Sequence, residues 1–244
     1  MAKFSSIRLW GSTVAGMVLL LAVLAVSCSR SAPVADTARA AETVADAKIS
    51  PAQTSQRSIE VVYIQGEVQI NGAAPELGDK PGLTFSIRTG ADARCDLVFN
   101  NGNAISVGQN AIAALDFASP TAQVNLERGS LSSVMKKLET LVNKDSFVVQ
   151  TETAVAGVRG TSFCVWTNEE SSYICACNGI VRTIDNAGGN EQLIEAAHHS
   201  ARMYTRSGSA ITMETAGMQF HTDELLQSVA SRIGYTIDWE HIDG

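Results

Sequence analysis

The chain reads as all-β: an irregular β-sandwich or β-roll of short strands with one or two short helices. Three observations predict this. From Ser58 onward, short runs of apolar residues are separated by Gly and Asn. Asn71-Gly72, between two such runs, is a strong hairpin-turn dipeptide. Gly66, Gly102, Gly129 and Gly179 each stand just ahead of a strand-like apolar pair, a cadence without fixed period. Aromatic residues make up only 6% of the chain, so the strands must be built on Val, Ile and Leu.

Taken in order, 59–64 and 67–70 flank Gly66 and read as the first two strands. Residues 84–88 lead into Thr89-Gly90, and 93–99 into Asn100-Asn101-Gly102. Ile105 and Val107, then Ile112, Leu115 and Phe117, continue through two more strands. Residues 124–126 precede Glu127-Arg128-Gly129, and 147–150, 162–167, 173–177 and 180–184 complete the set. Two helices interrupt it. Val134, Met135, Leu138, Leu141 and Val142 give 132–143 a helical apolar face. At 222–233, Thr222 is the N-cap, Asp223 and Glu224 fill the first turn, and Gly234 is the stop. Leu225, Leu226, Val229 and Ile233 line one face of that helix, and 235–239 reads as a strand-like run after it.

Ahead of the strands, Lys3 and Arg8 precede an uncharged apolar run at 14–26, the layout of a secretory signal. Ala25-Val26-Ser27-Cys28 resembles a bacterial lipobox, in which Cys28 would carry a diacylglycerol. Ala25 stands where Leu is favoured, with Leu24 one step earlier. Two other readings stay open: Ala25-x-Ser27 as a signal-peptidase site, and 9–26 as a retained, tilted anchor. Each places the body of the protein outside the cytoplasm, in the bacterial envelope, facing the periplasm or the cell surface. The predicted organisation is a signal peptide at 1–27, the lipidated Cys28 with a tether at 28–57, a β domain at 58–220 and a helix-strand cap at 221–244. The tether is too rich in Ala, Ser, Thr, Gln and Asp to bury enough apolar area to offset its ordering entropy. The formal charge is -7, and without the first 27 residues 16 basic groups face 25 acidic ones. So acidic a surface is a poor match for phosphate backbones, and no nucleic-acid partner is expected.

Beyond Cys28 there are four cysteines: Cys95, Cys164, Cys175 and Cys177. Outside the cytoplasm an even number invites disulfides. Cys164 and either Cys175 or Cys177 fall on neighbouring strands, so one cross-strand disulfide is expected, with Cys95 free or paired to the leftover thiol. The same thiols suit another chemistry. Cys175-x-Cys177 together with His198-His199 supplies two soft thiolates and two imidazoles, a ligand set for zinc or iron. Alternate strand residues lie about 6–7 Å apart, so the strand would have to bend at Asn178-Gly179. Disulfide and metal exclude each other at one thiol. His221 and His241 read as surface residues. Sequence templates for nucleophile elbows, phosphate loops, dinucleotide binding and His-Glu-x-x-His zinc sites all fail to match, so no catalytic residues are assigned and a non-enzymatic role is expected.

Over 60–184 the order of these turns resembles the FecR domain, an extracytoplasmic all-β module named after a regulator of iron-uptake sigma factors. Gly66-Glu67-Val68, Leu77-Gly78-Asp79, Thr89-Gly90 and Leu97-Val98-Phe99 fit its early steps, and the 126–131 run Leu-Glu-Arg-Gly-Ser-Leu fits a later one. The most specific element is Val158-Arg159-Gly160-Thr161-Ser162-Phe163, reached through 147–151. There Gly160 would serve a close backbone approach or a positive φ, with Phe163 and Val165 facing the core. Arg159 reads as a structural arginine bonding local carbonyls, the other reading being a ligand contact. The resemblance implies a binding or signal-sensing module with an envelope protein or glycan as partner and the membrane reached through the lipid anchor. Only 13 residues precede the apolar run, so a cytoplasmic sigma-binding segment and an anti-sigma role are not expected. The 222–239 stretch looks like the start of the short secretin and TonB N-terminal domain, and a truncated copy or a simple capping helix is expected there. A metal or redox module on Cys175, Cys177, His198 and His199 is the alternative function.

Overall fold

The computed structural model describes residues 57–99, 102–119, 121–136 and 147–242. The signal peptide, Cys28, nearly all of the tether and residues 137–143 of the first predicted helix lie outside that set. Among the described residues, thirteen strands form one branched sheet: β1 (Ile59–Gln65), β2 (Val68–Ile70), β3 (Thr84–Thr89), β4 (Arg94–Phe99), β5 (Asn103–Val107), β6 (Ile112–Asp116), β7 (Ala122–Met135), β8 (Phe147–Gln150), β9 (Ala154–Thr167), β10 (Ser171–Asp185), β11 (Gln192–Ala196), β12 (Ser200–Ser207) and β13 (Ala210–Ala216). The one helix among the described residues is α1 (Asp223–Ser231). The fold is all-β as predicted.

Three long strands make the branching. Along β7, residues up to Arg128 pair with β6 and β8, and from Gly129 onward the partners are β9 and β5. Along β9 the partner on one side changes from β8 at Val158 to β7 at Ser162. Along β10 it changes from β12 at Ala176 to β11 at Gly179. Each change contains a glycine with positive φ: Gly129 at 91°, Gly160 at 46° and Gly179 at 124°. L residues with a side chain avoid that region, so glycine is what lets a continuous strand swivel to a new neighbour. The glycine cadence in the sequence is therefore partly a list of branch points.

Alternation along the central strands builds two cores, one on each face. Phe163, Val165, Ile174 and Ala176 belong to the main one, where Phe99, Phe117, Phe147 and Phe163 form a row of rings with neighbouring centroids 4.8, 6.2 and 5.9 Å apart. Cys164, Tyr173, Cys175 and Cys177 face the other way, under Leu226, Val229 and Ala230 of α1 and Ile237.

Three expectations are corrected. Residues 132–135 are strand, the end of β7, because Ser132 to Val134 pair with β5 on one side and β9 on the other. Both faces of that strand are buried, so Val134 and Met135 serve different cores and imitate a helical apolar pattern. Residues 235–239 form no strand, since side chains satisfy their backbone: Gln227 bonds Tyr235 O and Ile237 N, and Asn178 Nδ2 donates to Asp238 O at 2.7 Å. The predicted helix at 222–233 is present but ends at Ser231, with Thr222 Oγ1 accepting from Leu225 N as its cap. Beyond the predicted strands, β11, β12 and β13 extend the sheet.

Candidate functional site

Chemistry-bearing side chains converge in the second core, where β10 meets the β11–β12 turn and the segment leading into α1. Pairing brings Cys175 opposite Cys164, and then a β-bulge sets in. Ala176 and Asn178 of β10 oppose the adjacent Phe163 and Ser162 of β9, so Cys177 is the extra residue. A bulge bends its strand and re-aims the inserted side chain. The bend that the paired thiols require is thus present, one residue before Asn178. Opposite Cys177, the chain crosses from β11 to β12, and His199 N donates to Cys177 O at 3.0 Å.

The C-terminal segment supplies the rest. Phe220 stacks on Trp166 at 4.2 Å between centroids and 3° between planes. Tyr173 Oη donates to Gly217 O and accepts from Gln219 N, both at 3.1 Å. These contacts seat His221 over the thiols, buried at 7% exposure. The expectation that His221 is a surface residue is corrected: Phe220 and Tyr173 draw it inward. His241 is exposed, as expected.

Cys175 Sγ lies 3.7 Å from His199 Nδ1, Cys177 Sγ 3.4 Å from His221 Nε2, and the two imidazole nitrogens 3.2 Å from each other. One ligand atom from each of these four residues falls within 4.8 Å of every other. The remaining ring nitrogens are committed elsewhere. His221 Nδ1 donates to Gln219 O at 2.6 Å, and His199 Nε2 donates to the Asp223 carboxylate at 2.5 Å. Both rings therefore turn a lone pair toward the thiols unless a proton occupies it.

Burial and mutual hydrogen bonds shift the thiols and imidazoles of this cluster in opposite directions. The hydrogen bond from Cys177 holds the Cys175 thiol down to about 3, against burial and with help from His199 and His221. Burial raises Cys164, but hydrogen bonds with Cys177 and His221 bring it down to about 6. Burial, with the charge of its two thiol neighbours, keeps Cys177 protonated. Burial lowers His221, but Cys164 and Cys175 outweigh it and push the imidazole up to about 10.

Of the predicted metal set, the structure brings together Cys175, Cys177 and His199. His198 is half exposed and turned away, with Nε2 2.9 Å from Asp223 Oδ2 and its ring 4.9 Å from Trp239. His221 takes its place. The four cysteines among the described residues are buried and free; Cys95 lies in the main core, on the opposite face of the sheet from the other three. Cys164 Sγ donates to Ser132 Oγ at 3.2 Å. In the Arg159-Gly160-Thr161 motif, Thr161 is fully buried, donating to Ile180 O at 2.9 Å and accepting from Ile180 N at 3.0 Å. The side chain of Arg159 lies outside the described set, while its backbone pairs with Ile180. Sequence reading missed His221 and Asp223 as site residues. Their signal was position, flanking the N-cap of α1.

Residues 85–182, from β3 into β10, match the model of the FecR protein family, within the stretch whose motifs carry that resemblance. Two crystal structures of a proposed anti-sigma factor from Parabacteroides distasonis ATCC 8503 match part of the chain. One is 15% identical with a TM-score of 0.45, the match covering 62% of this chain and 66% of that one. The other is 16% identical with a TM-score of 0.42, covering 61% and 65%. The chain thus spans just under two thirds of the length of either. No curated protein matches it.

Proposed function

We propose that this chain is an exported, lipid-anchored envelope module that binds or senses and does not catalyse. The observation that carries the reading is the FecR match over residues 85–182, on an all-β scaffold. The signal-like start and Cys28 support placement on a membrane, facing the periplasm or the cell surface, with an envelope protein or glycan as partner. Among the described residues no helix is long and apolar enough to cross a membrane. In this reading a lipid on Cys28 holds the domain at the surface, and the 28–57 tether, about 30 residues long, gives it a reach of roughly 30 Å.

The test is the mature N-terminus of protein isolated from native envelopes. Mass spectrometry should find Cys28 as the first residue carrying a diacylglyceryl group. Cys28→Ala should leave a longer precursor or release the protein from membranes. An unmodified N-terminus elsewhere ends the lipoprotein assignment. Photocrosslinking in intact cells should then yield a discrete adduct with one envelope component, and a uniform smear would count against a dedicated partner.

A further inference from the structure

We propose that Cys175, Cys177, His199 and His221 bind one zinc ion in a closed tetrahedral site that fastens the C-terminal segment to the sheet. This stands independently of the envelope reading, because it depends on the cluster alone.

Spacing is the first argument. With Zn–N near 2.0–2.1 Å and Zn–S near 2.3 Å, a tetrahedral site has N···N edges of about 3.4 Å and S···N edges of about 3.6 Å. The corresponding separations here are 3.2 Å between the imidazoles, and 3.4 and 3.7 Å between thiol and imidazole. Three of the six edges thus match such a site, and all four donors lie within 4.8 Å of one another.

Orientation is the second. Zinc-bound histidines typically donate the other ring N–H to a carboxylate or a backbone carbonyl. Asp223 and Gln219 O provide one of each, so the tautomer of both rings is set toward the thiols. Two imidazole nitrogens facing each other at 3.2 Å need a cation between them. A proton serves when no metal is bound, and zinc would displace it together with the thiol protons, with no change of oxidation state.

Backbone strain is the third, and it is independent of the other two. Six non-glycine residues have positive φ among those described: Asn71, Asp92, Asn110, Asn190, His199 and Phe220. The first four are Asn or Asp, which tolerate that region. His199 at 52° belongs with them, since histidine is also enriched there, whereas Phe220 at 60° does not. Phe220 directly precedes the proposed ligand His221. Strain of this kind persists where surroundings hold it in place for a purpose. The bulge at Cys177 is a further local distortion at the same point.

Zinc is favoured over other ions by the donor set, two thiolates and two imidazoles in four-fold geometry. Cys175 and Cys177 are fully buried and the His199 side chain is 10% exposed, which leaves no open position for a substrate water. The site is thus structural or regulatory in character. Its ligands come from β10, from the turn before β12 and from the segment before α1, so the ion joins three elements that are distant in sequence.

The full chain, purified without chelator or reductant, should carry about one zinc per molecule by elemental mass spectrometry. Stripped and titrated with CoCl2 under anaerobic conditions, it should show the visible bands of tetrahedral cobalt with thiolate charge transfer, saturating at one equivalent. Cys177→Ser and His221→Ala should each abolish the cobalt spectrum. His198→Ala, which leaves all four ligands in place, should preserve it. Chelation should increase hydrogen exchange across 217–242 while leaving the main core protected. The cobalt titration of the unaltered chain decides even if a variant fails to fold. Absence of a saturable cobalt spectrum, an octahedral one, or a disulfide through Cys175 or Cys177 in the isolated protein overturns the site. Stoichiometric iron in place of zinc overturns the choice of metal.

Discussion

Asp96 shows what one residue can hold together. Its carboxylate is fully buried, bridged by Arg94 Nε and Nη2 at 2.7 Å each and by Arg232 Nε at 3.0 Å. Arg94 also donates to Ser228 Oγ in α1 at 2.7 Å, and Arg232 caps that helix. Both guanidinium groups lie over the Tyr63 ring, at 5.1 and 4.6 Å. A carboxylate on β4 thus pins the far end of the helix whose near end carries His221 and Asp223. Removing the acid leaves two arginines facing each other, and breaking such a pair costs about 3–5 kcal/mol. Since both arginines keep some contact with water, Asp96→Ala should cost about 3 kcal/mol in urea unfolding. Arg232→Ala should cost less, because Asp96 keeps Arg94. Equal losses would show that the helix contact does not depend on the shared carboxylate. None of this was legible in the sequence: Arg94-x-Asp96 is an ordinary strand pair until a residue more than a hundred positions away arrives.

At the scale of the element, glycine position decides how much of the sheet could be anticipated. The strands ahead of Gly129 were readable, because apolar alternation and Asn71-Gly72, with φ of 52° and 81°, are local signals. The three partner changes were not, since a branch point leaves no periodicity, only a glycine. The helix expected from residue 132 fails over 132–135 because that stretch is a strand covered on both sides. Gly129 permits a direct test. A Cβ built there would sit 2.5 Å from Ala111 Cα, and φ is 91°. Gly208, in the β12–β13 turn, also has positive φ, at 63°, but nothing lies within 4 Å of its Cβ position. Gly208→Ala should therefore cost only the backbone strain, about 1 kcal/mol. Gly129→Ala adds a collision with backbone and should cost about 3 kcal/mol or more. Indistinguishable thermal midpoints for the two variants would remove Gly129 as a branch-point requirement.

Across the whole molecule the sheet separates two kinds of interior. The main core is aliphatic and aromatic, and it was legible from alternation. The second core gathers thiols, imidazoles and α1 through contacts between β10 and residues some forty positions later, a closeness that spacing alone does not encode. That is why Cys175, Cys177 and His199 could be grouped from sequence while His198 stood in for His221. The pH range of the domain follows from ionisable groups whose pKa folding shifts. On the acid side, Ser119 and the Ala118 amide hold the Asp116 carboxyl below its ordinary range, and at Asp185 the Gly189 amide and the Asn190 side chain outweigh burial to the same effect. A folded carboxyl with lowered pKa contributes stability above the ordinary carboxylate range and loses it as pH falls.

On the alkaline side the sign reverses. Burial first, then the charge of Asp96, pushes the Cys95 thiol from 9.0 up to about 12. Below pH 9 the thiol is protonated in both folded and unfolded chains and contributes nothing to the balance. Above it the unfolded chain ionises while the folded one resists, so stability falls from about pH 9 upward. Tyr204, raised by burial, acts in the same direction. Cys95→Ala leaves a small cavity and should be less stable than the parent at pH 7. The gap should close as pH rises past 9, because the variant has no thiol to ionise on unfolding. Urea midpoints of both proteins at intervals from pH 7 to about 11 provide the measurement. A gap that stays constant over that range would mean that the Cys95 proton is not held by the fold. Iodoacetamide at pH 8 should leave Cys95 unmodified in the folded parent and label it only after denaturation.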